Sequence, residues 1–232
     1  MPGTRAGASG SGARVRMTGG ERREQLIEVA RELFAERGFA ASSVEEVAQR
    51  GGVSKPVVYE HFGGKEGLYA VVVDRETRRL LDRFATALAD PPVSPEGAEL
   101  GARSVPAPPG SHPRELLRRA ASAFLGYVDE HTSGFRVLVR DTPPTGGSGM
   151  FSSLLGDIAG QVEHVLAREL ARHGMDPATA PLYSQALVGM VAQVGQWWLE
   201  ERRPGRDEVT AHLVNLAWFG LSRMGEEHPP TE

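Results

Sequence analysis

The sequence predicts an all-α chain in which a compact three-helix unit precedes a larger helical region. Three observations carry this. From Glu21 to Met224, apolar residues recur every three to four positions in each long stretch, the spacing that lines one face of a helix. Helix punctuation brackets those stretches, with Ser43 and Ser54 at starts and Gly38 and Gly174 at ends. No internal repeat and no β-rich segment appears.

Residues 1–20 are Gly-, Ser- and Ala-rich and poor in apolar groups, so a disordered arm is expected there. Leu26, Ile27, Ala30, Leu33 and Phe34 then mark a helix over Glu21–Arg37, closed by Gly38. Ser43 followed by Glu46 is a capping box ahead of Val44, Val47 and Ala48, and predicts a short second helix. Gly51 and Gly52 supply a tight turn, Val53 plugs the angle, and Ser54 is placed to cap a third helix with Pro56 in its first turn.

That third helix has two unlike sides. Val58 and Phe62, four apart, face inward, leaving Lys55, Pro56, Val57, Tyr59 and His61 outward. A cation, small apolar groups, a phenol and an imidazole suit a DNA major groove, where methyls meet thymine and polar groups bond phosphates or base edges. The hydroxyls of Ser43 and Ser54 are candidates for phosphate as well as for capping. Arg22 and Arg23 would touch phosphate or pair with nearby glutamates, and Arg5, Arg14 and Arg16 would reach a minor groove or remain a solvated tail.

V-S-K-P-V-V-Y-E-H-F-G-G-K-E-G-L-Y at Val53–Tyr69, within a wider match over Glu21–Leu81, resembles the TetR family of bacterial transcriptional regulators. The resemblance implies phosphate contacts by Tyr59, His61 and Lys65, and base reading by Lys55, Pro56 and Val57. Glu45 departs from the pattern: some relatives carry a basic or polar DNA-contacting group there, and phosphate repels a carboxylate, so no contact is carried over to it.

A long helix is expected from Lys65 to about Ala89, through Leu68, Val72, Leu80 and Phe84, rigid enough to transmit a displacement. The proline-rich run 91–113 reads as a loop. Helices are then expected over Arg114–Glu130, Phe135–Val139, Phe151–Arg172, Ala178–Glu201 and from a cap at Asp207 to about Met224, with a loop over Thr142–Gly149. The middle of Ala178–Glu201 is apolar nearly all round and needs cover on both sides. Gly189, Ala192 and Gly195 allow close approach, and a four-helix interface between two copies, which is how the resembled family dimerises, would provide the cover. Phe124, Tyr127, Phe135, Tyr183, Met190 and Trp198, with Trp197 and Trp218, are candidates for an effector pocket of the kind the family implies, or for plain core.

Composition excludes several classes. The charge of -4 argues against a generally adhesive polyanion binder, although Met1–Leu80 holds 13 Lys and Arg against 11 Asp and Glu while the rest is acidic. There is no cysteine, which fits a reducing cytoplasm and leaves no thiol nucleophile. The most apolar run, Ala186–Leu199, is interrupted by Gln193 and Gln196 and is shorter than the ~20 residues a membrane span needs. His131, His164 and His173 share no metal-binding spacing, and neither a nucleophile elbow nor a phosphate loop is present, so no metal, cofactor or catalytic residue is expected.

The expected architecture is therefore a helix-turn-helix DNA-binding domain over 21–66, followed over 67–232 by a larger helical domain for ligand binding and dimerisation. The expected function is a repressor that binds a palindromic operator in double-stranded DNA as a homodimer, with half-sites ~34 Å apart, and is released by a small molecule. The alternatives are a helical sensor or scaffold acting through a protein partner, and an all-helical enzyme.

Overall fold

A computed structural model of the chain describes residues 17–89, 111–140 and 150–221. Among these are α1 (Gly19–Arg37), α2 (Val44–Arg50), α3 (Lys55–Phe62), α4 (Lys65–Leu88), α5 (Ser111–Glu130), α6 (Thr132–Arg140), α7 (Met150–Arg172), α8 (Ala180–Glu201) and α9 (Arg206–Leu221). A 3-10 turn at Pro177–Thr179 precedes α8, and the described residues include no strand. Most of the expected arm, the loop over 91–110, the run 142–149 and the final stretch to Met224 lie outside the described residues.

The N-terminal three helices form as the punctuation requires. In α2, the Ser43 hydroxyl accepts from the Glu46 N–H at 3.2 Å, and the Glu46 carboxylate accepts from the Ser43 N–H at 3.1 Å. Gly52 turns the chain at φ +64°, a conformation glycine enters freely, and the Val53 N–H then donates back to the Ala48 carbonyl at 2.9 Å. Leu26, Ile27, Ala30 and Leu33 of α1 are fully buried with Val47 of α2 and Val58 of α3, so α1 buttresses the pair.

Several boundaries correct the sequence reading. A second capping box, Thr18 with Glu21, starts α1 at Gly19, so residues 18–20 belong to the helix and its cap rather than to an arm. Ser111–Pro113 form the first turn of α5, where proline's missing N–H costs little, and not the end of a loop. Asp176 caps the 3-10 turn, its carboxylate accepting from the Ala178 N–H at 2.9 Å, which moves the start of α8 to Ala180. Thr132–Arg140 is longer than the expected Phe135–Val139, and Asp207 lies inside the first turn of α9 instead of capping it.

The long α4 joins the N-terminal head to the helical body. It packs on α1, α5 and α6, while α7 lies along α8 and α9 along α5. At the joint stands Glu76, fully buried on α4. Its carboxylate accepts from the Tyr127 hydroxyl of α5 at 2.8 Å and from Arg79 at 2.7 Å, with the Arg31 guanidinium of α1 3.9 Å away. Gly134 of α6 leaves the space for it, since a Cβ there would lie 2.1 Å from a Glu76 oxygen. The joint is tied further by Ser133 donating to Glu32 at 2.6 Å and Arg140 donating to the Ala35 carbonyl at 3.0 Å.

Candidate nucleic-acid interface

The candidates on α3 divide by burial much as the spacing requires. Val58 is fully buried and Phe62 nearly so, which fixes the helix on its bed; Ser54, Lys55, Pro56 and Tyr59 are exposed. Val57 and His61 are only half-exposed, and Val57 packs against the core, so it presents less surface than the expected outward position implies. Pro56 occupies the first turn, where the missing N–H would have found no helical partner.

Two candidates are already engaged. The Lys55 ammonium pairs with the Glu45 carboxylate and lies 5.7 Å from the centre of the Tyr59 ring. Hydrogen bonding from Lys55 holds the Glu45 carboxyl below its usual range and raises the lysine in return. The Lys65 ammonium donates to the Phe39 and Ser42 carbonyls at 2.9 and 3.0 Å, and sits 4.3 Å over the Phe39 ring. Lys65 thus closes the connection between α1 and α2 from the first turn of α4, and its geometry is that of a brace.

The two serines also part company. Ser43 caps α2, as described above, whereas Ser54 occupies the cap position of α3 with extended backbone but its hydroxyl makes no capping bond. The expected side-chain cap at Ser54 is therefore not formed; only its carbonyl serves the helix, accepting from Val57 N–H at 3.1 Å. On α1, Arg22 donates to Gln25 at 2.6 Å and Arg23 lies 5.3 Å over the Phe62 ring, next to the end of α3.

In the body, an apolar cavity of about 60 Å³ lies between α4, α5, α7, α8 and α9. Phe124 and Met190 line it, together with Phe84, Leu117, Ile158 and Val188. Tyr127, Phe135, Tyr183 and Trp198 do not. Tyr127 is turned to Glu76, and burial first, then the neighbouring carboxylate, pushes its phenol up. Phe135 is packed edge-on to Phe124 with ring centres 5.5 Å apart, and the Trp198 indole donates to the Pro204 carbonyl at 2.8 Å. Tyr183 is half-buried near the start of α8. Apart from Phe84, the lining residues not expected at a pocket are aliphatic groups, which carry no signal beyond helical periodicity.

On the opposite side of α4 and α5 runs an open groove of about 990 Å³ lined by Arg23, Arg75, Arg78, Arg79, Arg83, Arg118 and Arg119. Six of these already hold a carboxylate: Arg23 and Arg75 with Glu24, Arg78 with Asp74, Arg79 with Glu76, Arg83 with Glu130 and Arg118 with Glu115. Among the described residues no His, Cys, Asp or Glu side chains gather in a group of three suited to a metal, and no helix is long and apolar enough to cross a membrane.

Exposed large apolar side chains concentrate on α8 and α9. Leu182 and Trp197 of α8 and Leu216 and Phe219 of α9 are each about half to two-thirds exposed, at 66%, 48%, 67% and 60%. On α8 they share a stripe with Ala186, Gly189 and Gln193, all exposed. Gly195 faces the other way, where a Cβ would meet Phe124 at 2.3 Å, so it serves the chain's own core and not a partner as expected.

Comparison with known proteins accords with this geometry. The family model for bacterial regulatory proteins of the tetR family matches residues 26–72, and that for the tetracyclin repressor-like C-terminal domain matches residues 113–220. The chain is 28% identical over 207 residues to the HTH-type transcriptional activator FasR of Mycolicibacterium smegmatis, covering 88% of this chain and 84% of that one. Among solved structures it is similar to a TetR-like transcriptional regulator from Rhodococcus sp. RHA1, with TM-score 0.64 and 27% identity over 89% of this chain and 99% of that one. A tetR-family regulator from Streptomyces coelicolor is similar at TM-score 0.61 and 28% identity, over 90% of this chain and 85% of that one.

Proposed function

The chain belongs to the tetR family of bacterial regulatory proteins, and on that premise we propose that it represses transcription by occupying a palindromic operator as a homodimer and leaves it when an apolar small molecule binds the body. The observation that carries the DNA reading is the exposed face of α3. In a head whose other large apolar side chains are buried or partly buried, α3 holds out Lys55, Pro56 and Tyr59 on a helix anchored by Val58 and Phe62. The head is taken as residues 21–66 and the regulatory body as 67–232.

Ser43, Ser54, Tyr59, His61 and Lys65 are assigned to phosphate, and Lys55, Pro56 and Val57 to bases. For Lys65 the assignment requires release of at least one of the loop carbonyls of Phe39, Ala40 and Ser42 that its ammonium meets. Dimerisation is assigned to α8 and α9, whose exposed Leu182, Trp197, Leu216 and Phe219 make an apolar surface that water disfavours. The effector is assigned to the cavity around Phe124 and Met190. At about 60 Å³ it is far below the ~300 Å³ at which ligand pockets begin, so an occupant must part the lining helices. That requirement supplies the mechanism: a ligand that binds only the parted form shifts the population away from the DNA-competent one.

The test is an unbiased selection of random duplexes on the purified full chain, followed by footprinting. The expected product is a two-fold repeat with half-sites about one helical turn, ~34 Å, apart. Tyr59→Phe is expected to weaken all duplexes alike, whereas Lys55→Ala is expected to change which is preferred. Equal weakening of every duplex by both would contradict the assignment. One observation favours a second reading of sign: FasR, 28% identical, is named an activator. A reporter carrying the selected operator, measured with and without the chain, separates the two, since repression lowers transcription and activation raises it.

A further inference from the structure

The departure at Glu45 acquires a role from its partner. Glu45 lies in the first turn of α2, and its side chain is 61% exposed beside a Lys55 side chain 46% exposed. Three other carboxylates of the head are committed away from α3, Glu46 to its capping box and Arg37, Glu36 to Arg50 and Glu24 to Arg75, while Glu60 is an exposed residue of α3 itself. Glu45 instead reaches across from one helix of the reading pair to the leading cation of the other. So exposed a pair contributes little to folding, because water screens it and two long side chains must be ordered to form it. Its position matters more, since it fixes where the Lys55 ammonium stands and places an acceptor beside that donor on the surface assigned to the groove.

We infer that Glu45 is a specificity-determining residue of the reading head, acting through Lys55 and on the bases it meets. The inference rests on the DNA reading above. Phosphate repels the carboxylate, so a duplex offering only its backbone is disfavoured. A carboxylate accepts from the amino group of cytosine or adenine and is opposed by the acceptors of guanine and thymine. With Lys55 donating alongside, the pair presents an adjacent acceptor and donor, which fits a base step with an amino group next to a guanine or thymine oxygen. Removing the carboxylate frees a lysine for any phosphate within reach.

The experiment compares the full-length chain with Glu45→Gln, Lys55→Gln and the double variant, on the selected operator and on a scrambled duplex, over a range of salt. Glu45→Gln is expected to bind the scrambled duplex more tightly and to lower the operator-to-scrambled ratio by about tenfold or more. Its salt dependence on scrambled DNA is expected to steepen by about one charge per head. In the Lys55→Gln background the same change is expected to leave the slope unaltered, which separates an effect through the lysine from a general loss of negative charge. An unchanged ratio and slope for Glu45→Gln, with thermal unfolding also unchanged, would overturn the inference while leaving the DNA reading intact. Absence of any preferred duplex for the unsubstituted chain would overturn the DNA reading itself, and this inference with it.

Discussion

The head and the body of this chain bury their apolar residues to different degrees. In the head, Leu26, Ile27, Leu33, Phe34, Val47, Val58 and Phe62 are all inside, and what remains outside α3 is charged, phenolic or small. In the body, four large apolar side chains stand at the surface of α8 and α9, and a narrow apolar cavity lies beneath them. A surface complete in its own apolar packing is suited to a polar, wet partner such as a duplex. A surface that leaves Trp197, Leu216 and Phe219 to water is suited to another apolar surface.

The joint between them is where that contrast is most open to attack. Glu76 is the one fully buried charged residue among those described, and it satisfies groups from the head side, through Arg31, and from the body side, through Tyr127. Glu76→Ala leaves the buried Tyr127 phenol and the Arg79 guanidinium without their acceptor, while Arg31 keeps Glu28 and Glu32, and is expected to cost about 3–5 kcal/mol of stability. All three tryptophans lie in the body, so fluorescence follows the body while circular dichroism follows every helix. Urea titration is expected to move both midpoints down and to separate them. Coincident transitions at an unchanged midpoint would show that head and body are held by something other than this carboxylate.

Next in size is the close packing of α5 on α8. Gly195→Val places a side chain where Phe124 already stands, with contact at 2.3 Å for the first carbon alone. Overpacking of this kind costs typically ~1–3 kcal/mol. Because Phe124 also lines the cavity, ring displacement is expected to alter effector response at unchanged affinity for scrambled DNA, read by release from the operator. Equal stability of variant and parent would show that the contact relaxes without cost, and would weaken the case for a rigid body behind the cavity.

How much of this was written in the sequence follows the range of the interactions. The head depends on neighbours in the chain: a Ser three residues before a Glu, a glycine pair, a valine and a phenylalanine four apart. Each of these reads directly. Thr18 with Glu21 carries the same signal as Ser43 with Glu46, but the glycines between them resemble the tail before them and mask it. The joint and the cavity depend on side chains far apart in sequence. Tyr127 and Phe135 look like pocket aromatics by type, yet 51 residues separate Tyr127 from the Glu76 that claims it. Likewise, nothing local to Lys65 foretells its bonds to carbonyls 23 and 26 residues away.

Smaller in effect is the response of the joint to acid. Burial, followed by the Arg79 charge, lowers the His131 imidazole below its ordinary value of 6.5; Arg83 acts the same way, and Glu76 and Glu130 act against it. The unfolded chain takes up that proton near pH 6.5 and the folded chain only at lower pH, so between the two the unfolded state binds more protons. Stability is therefore expected to fall as pH drops through and below about 6.5, with nothing lost above it. His131→Asn is expected to flatten the urea midpoint over that interval relative to the parent. If both proteins show the same slope, the acid response of the joint belongs to its carboxylates.

The smallest expected effect tests the head alone, by setting its two serines against each other. Ser43→Ala removes the hydroxyl that accepts from the Glu46 N–H and donates to the Glu46 carboxylate, leaving only the backbone N–H bond to that carboxylate, and is expected to cost about 1 kcal/mol. At Ser54 the hydroxyl makes no capping bond, so Ser54→Ala is expected to change stability by less than about 0.5 kcal/mol. The two are alike in sequence position, each one residue before a helix, but Ser43 is half-buried with Glu46 three residues on, whereas Ser54 is exposed with Val57 there. A hydroxyl left free beside Lys55, at the start of the helix assigned to the groove, is available to phosphate. A Ser54→Ala variant that unfolds like the parent and yet binds every duplex more weakly would show that its oxygen faces outward to DNA. Equal stability losses at both serines would instead show that the third helix is capped in solution, and would withdraw Ser54 from the interface.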